Sequence, residues 1–456
     1  MTDDGFARAI VRGLGRAAQH VREHSLTAPQ MAALIHTALH NPVYDMQCEG
    51  DRSGWVMQLV AEAGLRNGLR EQLIPRLRRT PLNEPSQRVH LCRLCGDYAA
   101  RGDEAMLAEL YATVAGNPFD TEFVGEPELM WADGLAAFLF CVSHRGRRLR
   151  ETGSDYPDDE VLETAAEILD SSEGDLVGHL RSAARNGNSD IGAWLDARDG
   201  RGEYQLSGLG IRGVRKGDVA LAADMRRPQA PQWTDAAELL AALEPGSQAL
   251  RSRCLQFGRK HATPDDVAQL VATAEVEADH DRLVCILFAL AEVVLPTAPP
   301  RLVTLMDAGD PMMATSAGRA LRGCKAPELR AIALARLEAG RLDECTLCLL
   351  QGSFVHDDLV LLEAAMSGPR LRSMDRGDRS ALHSWFYELN DLAGMRPSAA
   401  WQALLITCCE WTPCSNCRQR AVQLLIESAA LPAWLAEECK DDGRDWVRDT
   451  VRQGRG

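Results

Sequence analysis

The sequence has few aromatic residues and no long run of apolar residues. Phenylalanine, tryptophan and tyrosine make up 5% of the 456 residues, whereas alanine and leucine abound. A β protein is normally rich in aromatic and β-branched residues, whereas alanine and leucine suit closely packed helices. Apolar stretches such as 283–290 are short and flanked by charged residues, so none reaches the length of a membrane-spanning helix. The composition therefore predicts an all-α protein without a membrane span.

The chain also lacks a positive charge balance. It has 50 Lys and Arg residues against 65 Asp and Glu residues, and the formal net charge is −15. A charge of this sign repels nucleic acid and anionic membranes over the surface as a whole, and it favours a neutral or basic partner.

The sequence shows no sign of export. Residues 1–22 mix acidic residues and arginines into the apolar ones, which is unlike a secretory signal. Fourteen cysteines in so long a chain are too few for a small disulfide scaffold, and most lie beside leucine and alanine in helical patterns. We therefore expect a cytoplasmic protein with reduced cysteines.

Familiar catalytic motifs are missing as well. There is no Gly-x-Ser-x-Gly, no P-loop and no recognisable Cys/His spacing. The glycines of 208–213 match the dinucleotide fingerprint as a string, but no buried strand precedes them. This segment is interpreted as a loop turn, or as a loose anion-binding loop because Arg212, Arg215 and Lys216 are close by. We expect no cofactor, and we favour a protein without enzymatic activity.

What the sequence does contain is a series of amphipathic helices joined by short turns. Apolar residues recur three or four positions apart, as Phe6 and Ile10 do in a predicted helix over 3–24. Another long helix is predicted over 128–150. From about residue 234 the predicted helices form pairs that begin about 30 to 34 residues apart, inside the range of two-helix repeats.

One segment, 198–233, interrupts this pattern. It contains many glycines, several arginines and two prolines, and it is either a long ordered insertion or a flexible connector. We therefore predict three parts: an N-terminal helical-hairpin array over 1–197, the insertion or linker over 198–233, and a C-terminal array of repeats over 234–456.

Several second helices of the pairs share a motif in which an acidic or turn residue is followed by an arginine and by Ala/Leu packing. Examples are Asp310 with Arg319, the segment 417–425, and the segment 445–448. This motif resembles the HEAT repeats of armadillo-type proteins, in which Asp and Arg form a ladder between neighbouring repeats. Repeats that lack these residues, as at 342–351, would interrupt the ladder. The resemblance implies a right-handed α-solenoid of stacked antiparallel helical hairpins, with a concave face for a partner.

Basic residues form several clusters along the chain. Those selected as partner-binding candidates are Arg145, Arg147, Arg148, Arg150, Arg212, Arg215 and Lys216. On a curved solenoid they could form a groove for phosphates, as in HEAT-like DNA glycosylases. Aromatic residues do not interleave with them, so stacking on bases is not indicated. The other interpretation is a solvated face that balances acidic neighbours.

Three Cys-x-x-Cys pairs occur, namely Cys92/Cys95, Cys345/Cys348 and Cys414/Cys417. The first two lie inside predicted helices, where this spacing also suits core packing. The third follows a predicted helix start at 412–413, and Cys408 and Cys409 precede it. Four sulfurs within ten residues could hold zinc or provide a reactive thiol. Adjacent cysteines at a helix end point in different directions, however, so a structural role is the favoured interpretation.

A polar connector at 44–52 attracts attention because such connectors can carry function. The structural alternative is that Asp51 caps the next helix and that Arg52 pairs with Glu49. We favour this alternative.

These observations lead us to expect a non-catalytic scaffold or adaptor that binds another protein on a concave face. Inhibition of a basic partner is one role that fits the charge. Two alternatives stay open: a nucleic-acid-binding, glycosylase-like protein that uses the arginines, and a thiol or zinc site at 408–417.

Overall fold

The computed structural model describes residues 1–45, 49–117, 124–152, 160–199, 205–206, 211–212, 233–243, 250–366 and 369–454. These residues are mostly helical, and the all-α prediction is confirmed. A pair of two-residue antiparallel strands, β1 (Gln205–Leu206) and β2 (Ile211–Arg212), lies in the predicted insertion. None of the described helices is both long enough and apolar enough to cross a membrane.

The chain divides into two units. The first comprises Met1–Arg226 and Asp441–Gly443, and the second comprises Arg227–Lys440 and Arg444–Gly456. The helices of the first unit are α1 (Asp3–Arg12), α2 (Gly15–Glu23), α3 (Ala28–Leu39), α4 (Ser53–Glu62), α5 (Arg66–Arg79), α6 (Pro85–Ala99), α7 (Glu104–Ala115), α8 (Glu126–Thr152), α9 (Glu160–Leu169), α10 (Glu173–Arg185) and α11 (Ser189–Asp199).

The second unit contains fifteen described α-helices and a 3₁₀ turn at Ala399–Trp401. The helices are α12 (Ala236–Ala242), α13 (Arg251–Lys260), α14 (Pro264–Ala274), α15 (His280–Leu290), α16 (Pro300–Leu305), α17 (Pro311–Ala320), α18 (Pro327–Glu338), α19 (Glu344–Gln351), α20 (Asp358–Met366), α21 (Pro369–Gly377), α22 (Arg379–Met395), α23 (Gln402–Trp411), α24 (Ser415–Glu427), α25 (Ala433–Cys439) and α26 (Asp445–Gln453).

Many helices contact a neighbour in sequence, and alternate helices also contact each other. In the first unit, α2, α4, α6, α8 and α11 form one such series. In the second unit, α13, α15, α17, α19, α22, α24 and α26 form another. Each unit has its own apolar core.

Proline and capping residues define many helix starts, as the sequence indicated. Thr263 precedes Pro264 and forms a capping box with Asp266, and Asp310 precedes Pro311 and accepts from the amides of α17. Proline is tolerated at the first helical position because its missing N–H would have no partner there. These residues fix the starts of α14 and α17.

The predicted single helix over 3–24 is wrong, since α1 ends at Arg12 and α2 begins at Gly15. Gly13 adopts φ 73°, a left-handed conformation that favours glycine, and its N–H bonds the carbonyls of Ala9 and Ile10. Apolar periodicity continues through this cap, so the pattern alone did not reveal it. A similar break lies inside α8, where Gly134 adopts φ 59° and ψ −133° and kinks the predicted helix over 128–150.

Ion pairs link helices that are separate in the sequence, and some of them join an arginine to an aspartate, as Arg330 and Asp358 do. Arg319 donates to Glu344 at 2.5 Å, and His280 contacts Asp310 at 2.6 Å. Arg319 lies on α17 and Glu344 is the first residue of α19. The interruption of a ladder at 342–351 stays a prediction.

Candidate functional site

The clearest candidate site in the described residues is a cavity of about 350 Å³ in the first unit, here called the Trp131 groove. Four helices and the connector before α4 line it. The lining residues are Asp51, Ser53, Gly54, Met57, Arg93, Asp97, Pro127, Glu128, Trp131 and Ile168. A volume of this size lies in the range of sites that hold a small ligand or an inserted side chain, roughly 300–1,000 Å³.

The 44–52 connector positions one wall of this groove. Arg52 and Glu49 form an ion pair at 2.8 Å with both side chains fully buried, as the sequence predicted. In the sequence, Asp51 lies between these two residues. Its carboxylate accepts hydrogen bonds from the Ser53 amide at 2.8 Å and from the Ser53 hydroxyl at 2.6 Å. Asp51 thus binds the amide of the first residue of α4, although the N-cap position itself is Arg52, which has no side-chain cap.

Two carboxylates of the groove share one guanidinium. Arg93 on α6 lies 3.2 Å from Asp51 (Nη1 to Oδ1) and 3.3 Å from Glu128 (Nε to Oε1). Burial opposes the ionisation of Asp51, but Arg93 and the Ser53 hydrogen bonds outweigh it, so the pKa of Asp51 lies below its usual value. With both carboxylates ionised, this trio carries one excess negative charge.

Glu128 is the less satisfied of the two carboxylates. Its side chain is 9% exposed, yet Oε2 accepts no hydrogen bond from any described residue. Burial raises the pKa of Glu128, and Arg93 offsets this only in part. A buried carboxylate oxygen without a donor is costly, and a ligand that brought a donor would remove that cost.

The third acid of the groove is already compensated. Asp97 lies 2.8 Å from Arg66 and 3.2 Å from Arg101, and these contacts hold its pKa below the usual value although burial acts against them. The excess negative charge of the groove is therefore concentrated at Asp51 and Glu128.

The other lining residues of the groove include an apolar set. Trp131 is 56% exposed, a large fraction for a tryptophan, and it lies one helical turn after Glu128 on α8. Met57 and Ile168 add aliphatic surface from α4 and α9. An aromatic face beside a carboxylate can hold a cation and the hydrocarbon chain that carries it.

Of the predicted partner-binding residues, the four on α8 are not among those that line this groove. Arg145 is buried and bonds Glu126 at 2.6 Å, while Arg147 and Arg150 both pair with Asp190 on α11. Arg148 lies on α8 with them. Arg212 lies in β2, and Arg215 and Lys216 fall outside the described residues. Arg147 and Arg150 thus join α8 to α11, whereas the Arg145–Glu126 pair lies within α8.

The structure brings together part of the predicted cysteine cluster in the second unit. All four cysteines of this cluster are buried, namely Cys408, Cys409, Cys414 and Cys417. The sulfurs of Cys414 and Cys417 form a group with a histidine nitrogen, and this group does not include Cys408 or Cys409. That residue is His383 on α22, whose Nδ1 lies 3.6 Å from the Cys417 sulfur. Sequence reasoning missed His383 because it is 34 residues away from Cys417.

The remaining cysteines of that cluster have other surroundings. The Cys408 thiol is directed at Asn390 Oδ1, 3.8 Å away, and burial raises its pKa. The hydrogen bond with Cys414, and then burial, raise the pKa of Cys417. Raised thiol pKa values disfavour the thiolate, so a reactive thiol gains no support from these two groups.

A second buried cluster in the same unit centres on Glu388. Its side chain is fully buried, contacts Arg322, and accepts a hydrogen bond from Gln351 at 2.9 Å. The Cys348 sulfur, from another of the Cys-x-x-Cys pairs, lies 3.7 Å away. Burial raises the pKa of Glu388 to about 7 in spite of Arg322. The protonation state of the Glu388 carboxyl therefore changes near neutral pH.

No protein-family model, curated protein or solved structure matches this chain. The function has to be argued from the residues and their geometry.

Proposed function

We propose that this protein is a non-catalytic scaffold that binds another protein, and that the Trp131 groove receives a lysine side chain of that partner. The observation that carries the proposal is the buried Oε2 of Glu128, which has no donor among the described residues, beside the exposed Trp131. The partner's ammonium group would donate to this oxygen, and its hydrocarbon chain would lie along Trp131.

The chemistry of the groove favours lysine over other side chains. One available carboxylate oxygen suits an ammonium, which acts as a compact point charge, whereas a guanidinium makes full use of two oxygens in a plane. An anionic group would be repelled by Asp51 and Glu128, and an apolar group would leave the carboxylate oxygen without a donor. The overall charge of −15 would also draw a basic partner towards the protein.

We further propose that each unit is a right-handed α-solenoid of HEAT-like hairpins. The series of contacts between alternate helices supports this arrangement, as do the ion pairs between successive hairpins in the second unit. In such a stack the groove lies across α4, α6 and α8, three successive members of one series. A binding site that spans several repeats is the usual way in which these proteins hold a partner.

The alternative of nucleic-acid binding receives less support. Arg145, Arg147 and Arg150 already have carboxylate partners in the chain, so less of their charge is left for phosphates. The proposal therefore gives a protein partner precedence.

The test is a selection of peptides from a random displayed library against the full-length protein. We expect the selected peptides to share a lysine next to apolar residues. A synthetic peptide from this set should bind in calorimetry, and replacement of its lysine by methionine should weaken binding at least about tenfold, or about 1.4 kcal/mol.

Matched variants locate the binding. Glu128→Gln and Trp131→Ala should each weaken the peptide at least about tenfold. The controls are Glu71→Gln, an exposed glutamate, and Trp434→Ala, a tryptophan 51% exposed in the second unit, and both should leave affinity unchanged. Selected peptides without a basic residue, or equal binding by all four variants, would refute the proposal.

A further inference from the structure

Two cysteines at the start of α24 lie in positions that bring side chains together. Cys414 is the N-cap residue and Cys417 is the third helical residue. Thr263 and Asp266 are likewise the N-cap residue and the third helical residue of α14, and their side-chain oxygens are 2.6 Å apart. In α24 the cap residue makes no side-chain hydrogen bond to the helix amides, so its sulfur is not used as a cap.

A third ligand comes from the neighbouring helix of the series. His383 on α22 places Nδ1 3.6 Å from the Cys417 sulfur, and all three ligand atoms lie within 4.8 Å of one another. Bonds of about 2.3 Å from zinc to sulfur and about 2.0–2.1 Å from zinc to nitrogen, at tetrahedral angles, put sulfur and nitrogen about 3.5 Å apart. The observed distance of 3.6 Å between the Cys417 sulfur and His383 Nδ1 matches this value.

The donor set is also selective. Two thiolates and one imidazole form one of the ligand sets that zinc takes in sites with three protein donors. Binding of a dication would release the protons of the two thiols. Among the described residues, no fourth His, Cys, Asp or Glu joins the group. His383 is half-buried, so solvent reaches one side of the group.

We propose that His383, Cys414 and Cys417 bind one Zn²⁺ ion and that its fourth position is open to an exchangeable ligand. The ion would join α22 to α24 within the second unit. This site is independent of the Trp131 groove, which belongs to the first unit.

The test uses untagged full-length protein that has been reduced, dialysed with zinc, and freed of loosely held metal on a desalting column. We expect about one zinc per chain by plasma mass spectrometry. X-ray absorption at the zinc edge should show two sulfur neighbours at about 2.3 Å and two lighter neighbours at about 2.0–2.1 Å. A third sulfur neighbour would overturn the open position and point to Cys408 as a further ligand.

Variants separate binding at this site from adventitious metal. Cys417→Ala and His383→Asn should each lower the zinc content at least tenfold. The matched controls are Cys95→Ala, from another buried Cys-x-x-Cys pair, and His356→Asn, an exposed histidine, and both should keep the wild-type content. Equal zinc in all four variants, or a wild-type chain without stoichiometric zinc, would overturn the proposal.

A thermal melt gives a second readout in case a variant folds poorly. Zinc should raise the melting temperature of the wild type and of the two controls, and a chelator should reverse the change. The site variants should show no response to either reagent. A Cys414–Cys417 disulfide in protein purified under reducing conditions, seen as a mass about 2 Da lower, would also overturn the zinc assignment.

Discussion

Substitution of Gly146 by alanine tests the packing of the first unit in a way that can be worked out from distances. Gly146 lies in α8 where α11 crosses it, and a Cβ atom at this position would sit 1.8 Å from the Asp190 carbonyl oxygen and 2.6 Å from the carbonyl carbon. Both atoms are backbone, so no rotamer change can relieve the overlap. Helix α11 would have to move by more than about 1 Å, since protein interiors are close-packed.

The expected cost follows from two opposing effects. Overpacking of a close helix contact costs about 1–3 kcal/mol and more where backbone must move. Alanine in place of glycine stabilises a helix by up to about 1 kcal/mol, because alanine has the higher helix propensity. Displacement of α11 also strains the Arg147 and Arg150 pairs with Asp190, but these arginines are half exposed and contribute less than about 1 kcal/mol each. We expect a net destabilisation of about 2–3 kcal/mol.

Gly178→Ala is the matched control. Gly178 lies inside α10 of the same unit, and a Cβ atom added there would meet no described atom within 4 Å. This substitution should stabilise the unit by up to about 1 kcal/mol. Hydrogen exchange of amides in α8 and α11 measures the local opening free energy of each full-length variant. If Gly146→Ala were as stable as Gly178→Ala, the close packing of α8 on α11 would be refuted.

Three other predictions concern buried charge. Glu128→Gln should raise the thermal midpoint of unfolding at neutral pH, because the raised pKa of Glu128 means that its charged form destabilises the fold. The gain in midpoint should fade as pH falls through that pKa. A midpoint below that of the wild type at neutral pH would contradict this. The pKa of Glu388, about 7 in the fold against an ordinary 4.5, means that its contribution is most favourable below pH 4.5 and is lost as pH rises through 7, by about 3 kcal/mol. Urea titrations give the free energy of unfolding of the wild type and of Glu388→Gln from about pH 4.5 to 8. The loss of this free energy over the range should be larger in the wild type by this amount. Parallel plots of the free energy of unfolding against pH would refute the assignment. Arg52→Ala should cost about 3–5 kcal/mol, because the buried carboxylate of Glu49 loses the guanidinium with which it pairs. A loss below about 1 kcal/mol in the same assay would show that water reaches the pair.

Much of the fold follows from local patterns in the sequence. Apolar periodicity, together with starts such as Thr263-Pro264 and Asp310-Pro311, located most helices, because capping and amphipathicity are properties of a few neighbouring residues. The breaks at Gly13 and Gly134 were missed for a related reason. A glycine inside a periodic segment is compatible with either a helix interior or a left-handed cap, and tertiary packing decides between them.

The candidate sites were less accessible to sequence reasoning. The connector drew attention to Asp51, and Arg52 with Glu49 was predicted because the two are three residues apart. Glu128, however, meets Arg93 across 35 residues of sequence, and His383 meets Cys417 across 34. Such contacts depend on which helices stack, and one sequence does not show this.

The decisive experiment for the function is a double-mutant cycle between Glu128 and the lysine of a selected peptide. Calorimetry would compare wild type and Glu128→Gln, each with the lysine peptide and with its methionine form. If the ammonium donates to Glu128 Oε2, the two changes should be coupled by at least about 1 kcal/mol. Additive effects, with no coupling beyond about 0.3 kcal/mol, would show that the lysine binds elsewhere and that the Trp131 groove is not the partner site.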